Sequence, residues 1–345
     1  MSRCLWPIKL FGLTALIVSC ASKPTGIQPS VTIPESWVRI ALPHPSVFPD
    51  YSEDGQQLIF VHENIKQHLK PQIYRFDIET KQSTQLSFNS GHNIHPTFVS
   101  EKSFAFLSTT DHDKESPRFL RTDQEKDWSF PALLSALELP YHFDVYQMDL
   151  AKKHIDRKTR SAQQHLYLST AKDRSAFAWV EAEGKTTDFM VVRGRSKPQK
   201  VLSQKSSISW IALSPKGYEV IFVQYDNNSK SSHLYRWNSI KKTKVQLLEI
   251  PAQVIHLDWY GELVSFSANL SSVNSWSTYV YDLKKTCLRQ QTPTGLNTYW
   301  PRLHPTEPKV LLQLLDSPHI LTYEVPLNLE STCLPGSGEE TKDAA

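Results

Sequence analysis

Ile208-Ser209-Trp210-Ile211-Ala212-Leu213, Ser214-Pro215-Lys216-Gly217 and Val220-Ile221-Phe222-Val223-Gln224 read as strand, turn and strand. The polar loop Asp226-Asn227-Asn228-Ser229 follows, then two more apolar runs, Leu234–Trp237 and Val245–Leu248. Short β-branched and aromatic runs between Pro, Gly, Asn and Ser clusters are the sequence signal for strands joined by hairpins. Four strands in about 40 residues is the size of one β-propeller blade.

The unit recurs along the chain. Pro49-Asp50-Tyr51-Ser52-Glu53-Asp54-Gly55 precedes Gln57–Val61, Ile73–Ile78 and Ser83–Leu86. Taking Ser52 as a landmark, equivalent positions fall at Val99, Ser169, Ser214, Tyr260 and His304, at intervals of 47, 70, 45, 46 and 44 residues. Five intervals mean six copies. The long interval marks an insertion in the second copy, roughly Lys114–His142, between the strand-like runs Phe104–Thr109 and Val145–Leu150. A period of this length means a propeller or a solenoid, and strand-only repeats of four favour the propeller. Within the insertion, Phe130–Leu139 has the composition of a short helix. The insertion has two readings: a packed excursion over one face of the disc, or a loop that contacts a partner or ligand.

Asp50-Tyr51-Ser52-Glu53-Asp54-Gly55-Gln56-Gln57-Leu58-Ile59-Phe60-Val61 resembles the W-S-P-D-G-x-x-I-A-F strand–turn–strand of TolB-like propeller repeats. Ile73-Tyr74-Arg75-Phe76-Asp77-Ile78, Val145-Tyr146-Gln147-Met148-Asp149-Leu150 and Val280-Tyr281-Asp282-Leu283 resemble the I-Y-x-x-D-L third strand of that family. The resemblance covers about Ser36 to Leu327, and the turn motif is well kept only in copies one and four. It implies an all-β, six-bladed propeller with four-stranded antiparallel blades. It also implies an envelope protein or peptide as partner, met at the channel mouth or the insertion. The α/β domain that TolB carries before its propeller has no counterpart in this reading.

The domain expectation is a lipoprotein signal over 1–19, a lipidated N-terminus and tether over 20–35, the propeller over 36–334 and a disordered tail over 335–345. Arg3 and Lys9 give a positive start, and Leu10–Val18 is an apolar run too short to span a bilayer. Leu16-Ile17-Val18-Ser19-Cys20 resembles a lipobox, which implies acylation of Cys20 as the mature N-terminus. Ala21-Ser22 after that Cys implies the periplasmic face of the outer membrane. Two or more acyl chains suffice for stable anchoring, since each buried CH₂ contributes about 0.8 kcal/mol. Ala21–Pro34 is rich in Ser, Thr and Pro and reads as a flexible tether. Trp37–Leu42 alternates like a strand and is placed to close the ring as the outermost strand of the last blade, which removes a free sheet edge.

Net charge is +3 with acids and bases interleaved, a solvated surface rather than the footprint of a nucleic-acid binder. Glycine is scarce at 11 residues, so tight turns are expected from Asn, Asp, Ser and Pro. Four cysteines occur; with Cys4 in the signal and Cys20 lipidated, Cys287 and Cys333 are candidates for one disulfide in an exported chain. Their equivalent places after the third strands of copies five and six argue against pairing, because outer strands of adjacent blades diverge. Pairing becomes feasible if Trp37–Leu42 fills the last blade's outer position and frees the tail.

Catalytic motifs are absent from the sequence: H-E-x-x-H, G-x-S-x-G, C-x-x-C and the P-loop. His95, His256 and His304 lie on or near first strands, which line a propeller channel, so a channel metal competes with packed or solvated histidine. The expectation is a non-catalytic binding or scaffolding module with no cofactor. The alternatives are a propeller polysaccharide lyase with a channel metal and a surface-exposed adhesion or sensing module.

Overall fold

The computed structural model describes residues 32–43, 45–62, 70–89, 91–110, 142–160, 163–183, 186–194, 196–205, 208–272, 275–316 and 319–334. Cys4, Cys20, the tether before 32, the inserted segment 111–141 with its helix-like run, and the tail from 335 lie outside them.

The described residues form strands and turns, with no helix among them. The chain opens with β1 (Val38–Ile40). Blade one follows as β2 (Ser46–Tyr51), β3 (Gln57–His62), β4 (Gln72–Asp77) and β5 (Gln82–Gln85). Blade two is β6 (Asn93–Ser100), β7 (Ser103–Ser108), β8 (Asp144–Asp149) and β9 (His154–Arg157). Blade three is β10 (Gln164–Thr170), β11 (Ala176–Glu183), β12 (Thr186–Arg193) and β13 (Gln199–Gln204). Blade four is β14 (Ile208–Leu213), β15 (Glu219–Asp226), β16 (Ser231–Asn238) and β17 (Thr243–Ile250). Blade five is β18 (Val254–Tyr260), β19 (Leu263–Ser272), β20 (Ser275–Asp282) and β21 (Cys287–Gln290). Blade six has β22 (Thr298–Leu303), β23 (Lys309–Asp316) and β24 (His319–Pro326).

Six four-stranded antiparallel sheets result, and the sixth is completed by β1 on the outside of β24. Val38 pairs with Glu324 and Ile40 with Thr322, so the two ends of the domain are hydrogen-bonded into one blade. Trp37 packs its ring on Tyr323 beside that pairing. The N-terminal strand therefore covers the one edge that six linear repeats would leave open.

The blade hairpins show why the third-strand motif ends in Asp. Asp77 Oδ1 accepts the Thr80 N–H, Asp149 Oδ1 those of Ala151 and Lys152, and Asp282 Oδ1 those of Lys284 and Lys285. Asn238 does the same for Ile240 and Lys241 in blade four. These are Asx turns. The left-handed residue that closes each is Lys81, Lys153, Lys242 or Thr286, so side-chain capping holds a conformation that glycine commonly supplies.

The first-to-second-strand turn has a glycine in three blades: blade five uses the short turn Gly261-Glu262, with Gly261 at φ 58°, and blades one and four share a longer form. Gly55 and Gly217 have φ of 74° and 72°. Blade three has Arg174 at φ 58° in the same place, its N–H donating to Ala171 as Gly55 donates to Ser52 and Gly217 to Ser214. The turn equivalent to Ser52 is thus at Ala171 and not at Ser169: Ala171 follows the bulge residue Tyr167 by four positions, as Ser52 follows Phe48. The core is a large cluster of buried side chains that runs from blade to blade, with Phe104, Phe106, Trp179, Phe222 and Phe266 fully buried, and a separate smaller cluster at blades one and six that holds Phe60, Tyr51, Leu58, Phe76 and Leu311.

Candidate functional site

Every inner strand carries a register shift. It lies between Val47 and Asp50, Ile94 and Thr97, Leu166 and Ser169, Ile208 and Trp210, Ile255 and Asp258, and Tyr299 and Arg302. In five blades the first extra residue is in the left-handed region: Phe48, His95, Tyr167, His256 and Trp300. Such a conformation costs of order 1–3 kcal/mol at a residue with a side chain and persists only where surroundings hold it. Here they do, because the bulge turns one ring from each blade to the axis. Ring centroids of Phe48 and Trp300 are 4.5 Å apart, Phe48 and His95 4.7 Å, His95 and Trp300 4.7 Å. Trp210 completes the set at 4.4 Å from Tyr167 and 4.5 Å from His256. All six are buried, and they fill the axis at this level.

His95 and His256 are therefore brought together, as parts of a ring-packed plug. Burial, and secondarily the Arg302 guanidinium, holds His95 well below the ordinary imidazole range, so it is neutral. Its two ring nitrogens have no hydrogen-bond partner among the described residues. His256 Nδ1 accepts the Trp300 N–H at 3.2 Å, and Trp300 Nε1–H donates to the Pro49 carbonyl at 3.1 Å. His304 is elsewhere. Its Nδ1 accepts the N–H groups of Thr306 and Glu307, its ring packs on Tyr51 at 4.7 Å, and a Cβ on Gly55 would stand 2.5 Å from it. It braces the first turn of blade one against blade six.

Two residues beyond the plug rings, Asp50, Asp258 and Arg302 of the inner strands form a charged collar with Lys172, which reaches in from the turn after β10. Lys172 Nζ is 3.0 Å from Asp258 Oδ1, and Arg302 reaches both Asp258 and Asp50 at 3.7 Å. Thr97 Oγ1 donates to Asp50 Oδ2 and the Leu303 N–H to Asp258 Oδ2, each at 2.8 Å. Burial alone would push the Asp258 carboxyl up. Lys172, Arg302 and the Leu303 N–H outweigh it and hold the group below the usual carboxylate range. Arg302 also lies over the Trp300 ring at 4.8 Å, joining collar to plug.

A third cluster sits where the chain re-enters blade two. One potential ligand atom from each of His142, Asp144 and His165 lies within 4.8 Å of the other two, and all three residues are buried. Asp144 opens β8, and His165 is near the start of β10 in the next blade. Arg157 Nη2 is 2.5 Å from Asp144 Oδ2, and Thr159 Oγ1 donates to Asp144 Oδ1 at 3.0 Å. His165 Nδ1 donates to the Phe143 carbonyl at 2.6 Å, while its Nε2 is 3.6 Å from Glu181 Oε1. The pair His142-Phe143-Asp144 was readable in the sequence as H-x-D, but its third member lies in the following repeat, where only blade-to-blade packing reveals it.

Cys287 and Cys333 form a disulfide with Cα atoms 5.3 Å apart. Because β1 occupies the outer place of blade six, the chain after β24 returns along blade five. The Leu334 N–H donates to Leu288 and Arg289 Nε–H to Ser331.

No protein-family model and no curated protein sequence matches the chain. Solved structures do. TolB from Acinetobacter baumannii superposes with a TM-score of 0.55 at 13% identity, over 79% of this chain and 64% of that one. An oligogalacturonate lyase from Vibrio parahaemolyticus superposes at 0.53 with 11% identity, over 85% and 94%. An acylaminoacyl peptidase does so at 0.51 with 13% identity, over 81% and 43%. The chain thus spans less than two thirds of the TolB structure. The likeness defines the fold, a TolB-like six-bladed propeller, and the same fold serves proteins of different activity.

Proposed function

We propose that this chain is a non-catalytic, lipid-anchored propeller of the bacterial cell envelope that binds a protein or peptide partner. The binding face is the one where the chain is inserted between β7 and β8. The observation that carries this reading is the filled axis: six rings, one per blade, occupy the level where a channel ligand would sit, so recognition falls to the disc faces. The faces are unequal. Second and third strands are joined by 184–185, 273–274 and 317–318 in three blades, against 109–143 in blade two. Long inserts on one face of a repeat protein are where binding is commonly placed. The lipobox-like Ile17-Val18-Ser19-Cys20 supports anchoring through Cys20, on the periplasmic face of the outer membrane.

The test is crosslinking in cells with the full chain. The wild type captures a discrete envelope protein. Replacing 112–140 with a short Gly/Ser turn abolishes that capture and leaves melting unchanged, since loop length alters closure entropy only slowly. Undiminished capture overturns the insertion as the binding element, and absence of any captured protein overturns the binding reading. Cys20→Ala abolishes fatty-acid labelling and membrane retention; persistent labelling excludes the anchor.

A second reading, a polysaccharide lyase, draws support from the oligogalacturonate lyase likeness and from the two histidines in the axis. Release of unsaturated uronide from oligogalacturonate by the purified chain would establish it.

A further inference from the structure

The geometry points to a divalent-cation site, of the class that zinc fills, at the seam of blades two and three, with His142, Asp144 and His165 as protein ligands. The repeat supplies its own control. Three seams are built on one hydrogen-bond plan. In the seam of blades one and two, the Ile73 N–H is taken by Ser87 Oγ, Ser87 donates to Gln72, Gln85 Nε2 donates to the Ser87 carbonyl, and Asn93 Nδ2 donates to the Pro71 carbonyl. In the seam of blades five and six, Thr278, Thr292, Gln290 and Thr298 repeat most of these bonds. In the seam of blades two and three the same positions hold Val145, Thr159, Asp144, Arg157 and His165.

Neutral amides and hydroxyls thus do the structural job twice over. The third seam does it with an acid, an imidazole and a guanidinium, and adds His142 where the first seam has Lys70 and the last has Ser275. The structural task does not call for these residues. A metal does. Two imidazoles and one carboxylate are a standard zinc donor set, and two ligand atoms on one tetrahedral Zn²⁺ stand about 3.3 Å apart. His165 gives its Nδ1–H to the Phe143 carbonyl, so Nε2 is its ligand atom, and Glu181 Oε1 at 3.6 Å from Nε2 stands near that spacing as a further oxygen donor. Arg157 on Oδ2 and Thr159 on Oδ1 fix the Asp144 carboxylate, as outer-shell partners do around metal-ligating carboxylates. A cation here would tie the residue at which the insertion returns to the inner strand of the next blade.

The experiment measures zinc and cobalt binding by the full-length chain, with metal content after dialysis and the cobalt absorption spectrum as readouts. The wild type holds one equivalent. The triple variant Asp144→Gln, Arg157→Gln, His165→Asn rebuilds the seam of blades one and two. It is expected to keep the wild-type melting temperature and bind at least tenfold more weakly. His142→Ala, at the edge of the seam and outside any strand, serves as the second variant and is expected to lose binding to a similar degree. A wild type that holds no more metal than the triple variant, or a His142→Ala protein that binds as tightly as wild type, overturns the site.

Discussion

Asp50, Asp258 and Arg302 of the collar stand two residues from plug rings on the same inner strands, and Lys172 joins them from the turn after β10, yet plug and collar are held by different physics. The plug is six rings in van der Waals and edge contact, with one indole N–H and one imidazole nitrogen tied to backbone. The collar is two carboxylates, a lysine and an arginine in nearly full burial. A ring stack tolerates exchange for another ring, because its stabilisation is area and shape. A buried charge set does not tolerate the loss of one member, because the remaining charge has lost water as well as its partner. The axis is thus held in two different ways, which meet where Arg302 of the collar lies over the Trp300 ring of the plug.

The largest effect is expected at the collar. Asp258→Ala leaves Lys172 and Arg302 buried beside one carboxylate fewer and the Leu303 N–H without its acceptor. Destabilisation of about 3–5 kcal/mol in urea unfolding is expected. A loss under about 1 kcal/mol would mean that water reaches the collar. Trp300→Phe tests the plug: it keeps a ring but removes volume and the bond to Pro49, for an expected loss of about 1–2 kcal/mol. A loss as large as that of Asp258→Ala would mean that the plug tolerates the exchange of a ring no better than the collar tolerates the loss of a charge.

A further effect is in pH. Burial holds His95 well below its ordinary range, and burial with Lys70 nearby lowers His92 to about 3. Each is neutral when folded and takes a proton when unfolded once the pH falls below about 6.5. Their share of stability is therefore complete above that pH and is lost progressively on acidification. Melting temperature should fall from pH 7.5 to pH 5, and His95→Phe should reduce that fall while preserving the plug. An unchanged fall would show that His95 is hydrated in the folded chain.

Much of the fold was legible in the sequence. Hydrophobic runs of strand length, Asx-turn aspartates such as Asp77, Asp149 and Asp282, and the even spacing of copies one, four and five mark blades without any knowledge of packing. Trp37–Leu42 was legible as a closing strand because it precedes the first copy, where the outermost strand of the last blade is placed when a ring closes. The site was less legible. The channel positions of His95 and His256 followed from their strand, but that they are wedged among Phe48, Tyr167, Trp210 and Trp300 did not. Bulge phase decides which side chain reaches the axis, and a bulge leaves no composition of its own.

By itself, then, the sequence determined the repeat, the blade count, the ring closure and where the chain is interrupted, since these depend on local periodicity and turn chemistry. Tertiary structure alone decided that the tail turns back to bring Cys333 to Cys287, that Lys172 finds Asp258, and that His165 faces His142 and Asp144 across a seam. Those partners belong to different repeats, and their distances are set by how blades pack around a common axis, a quantity that no single repeat encodes.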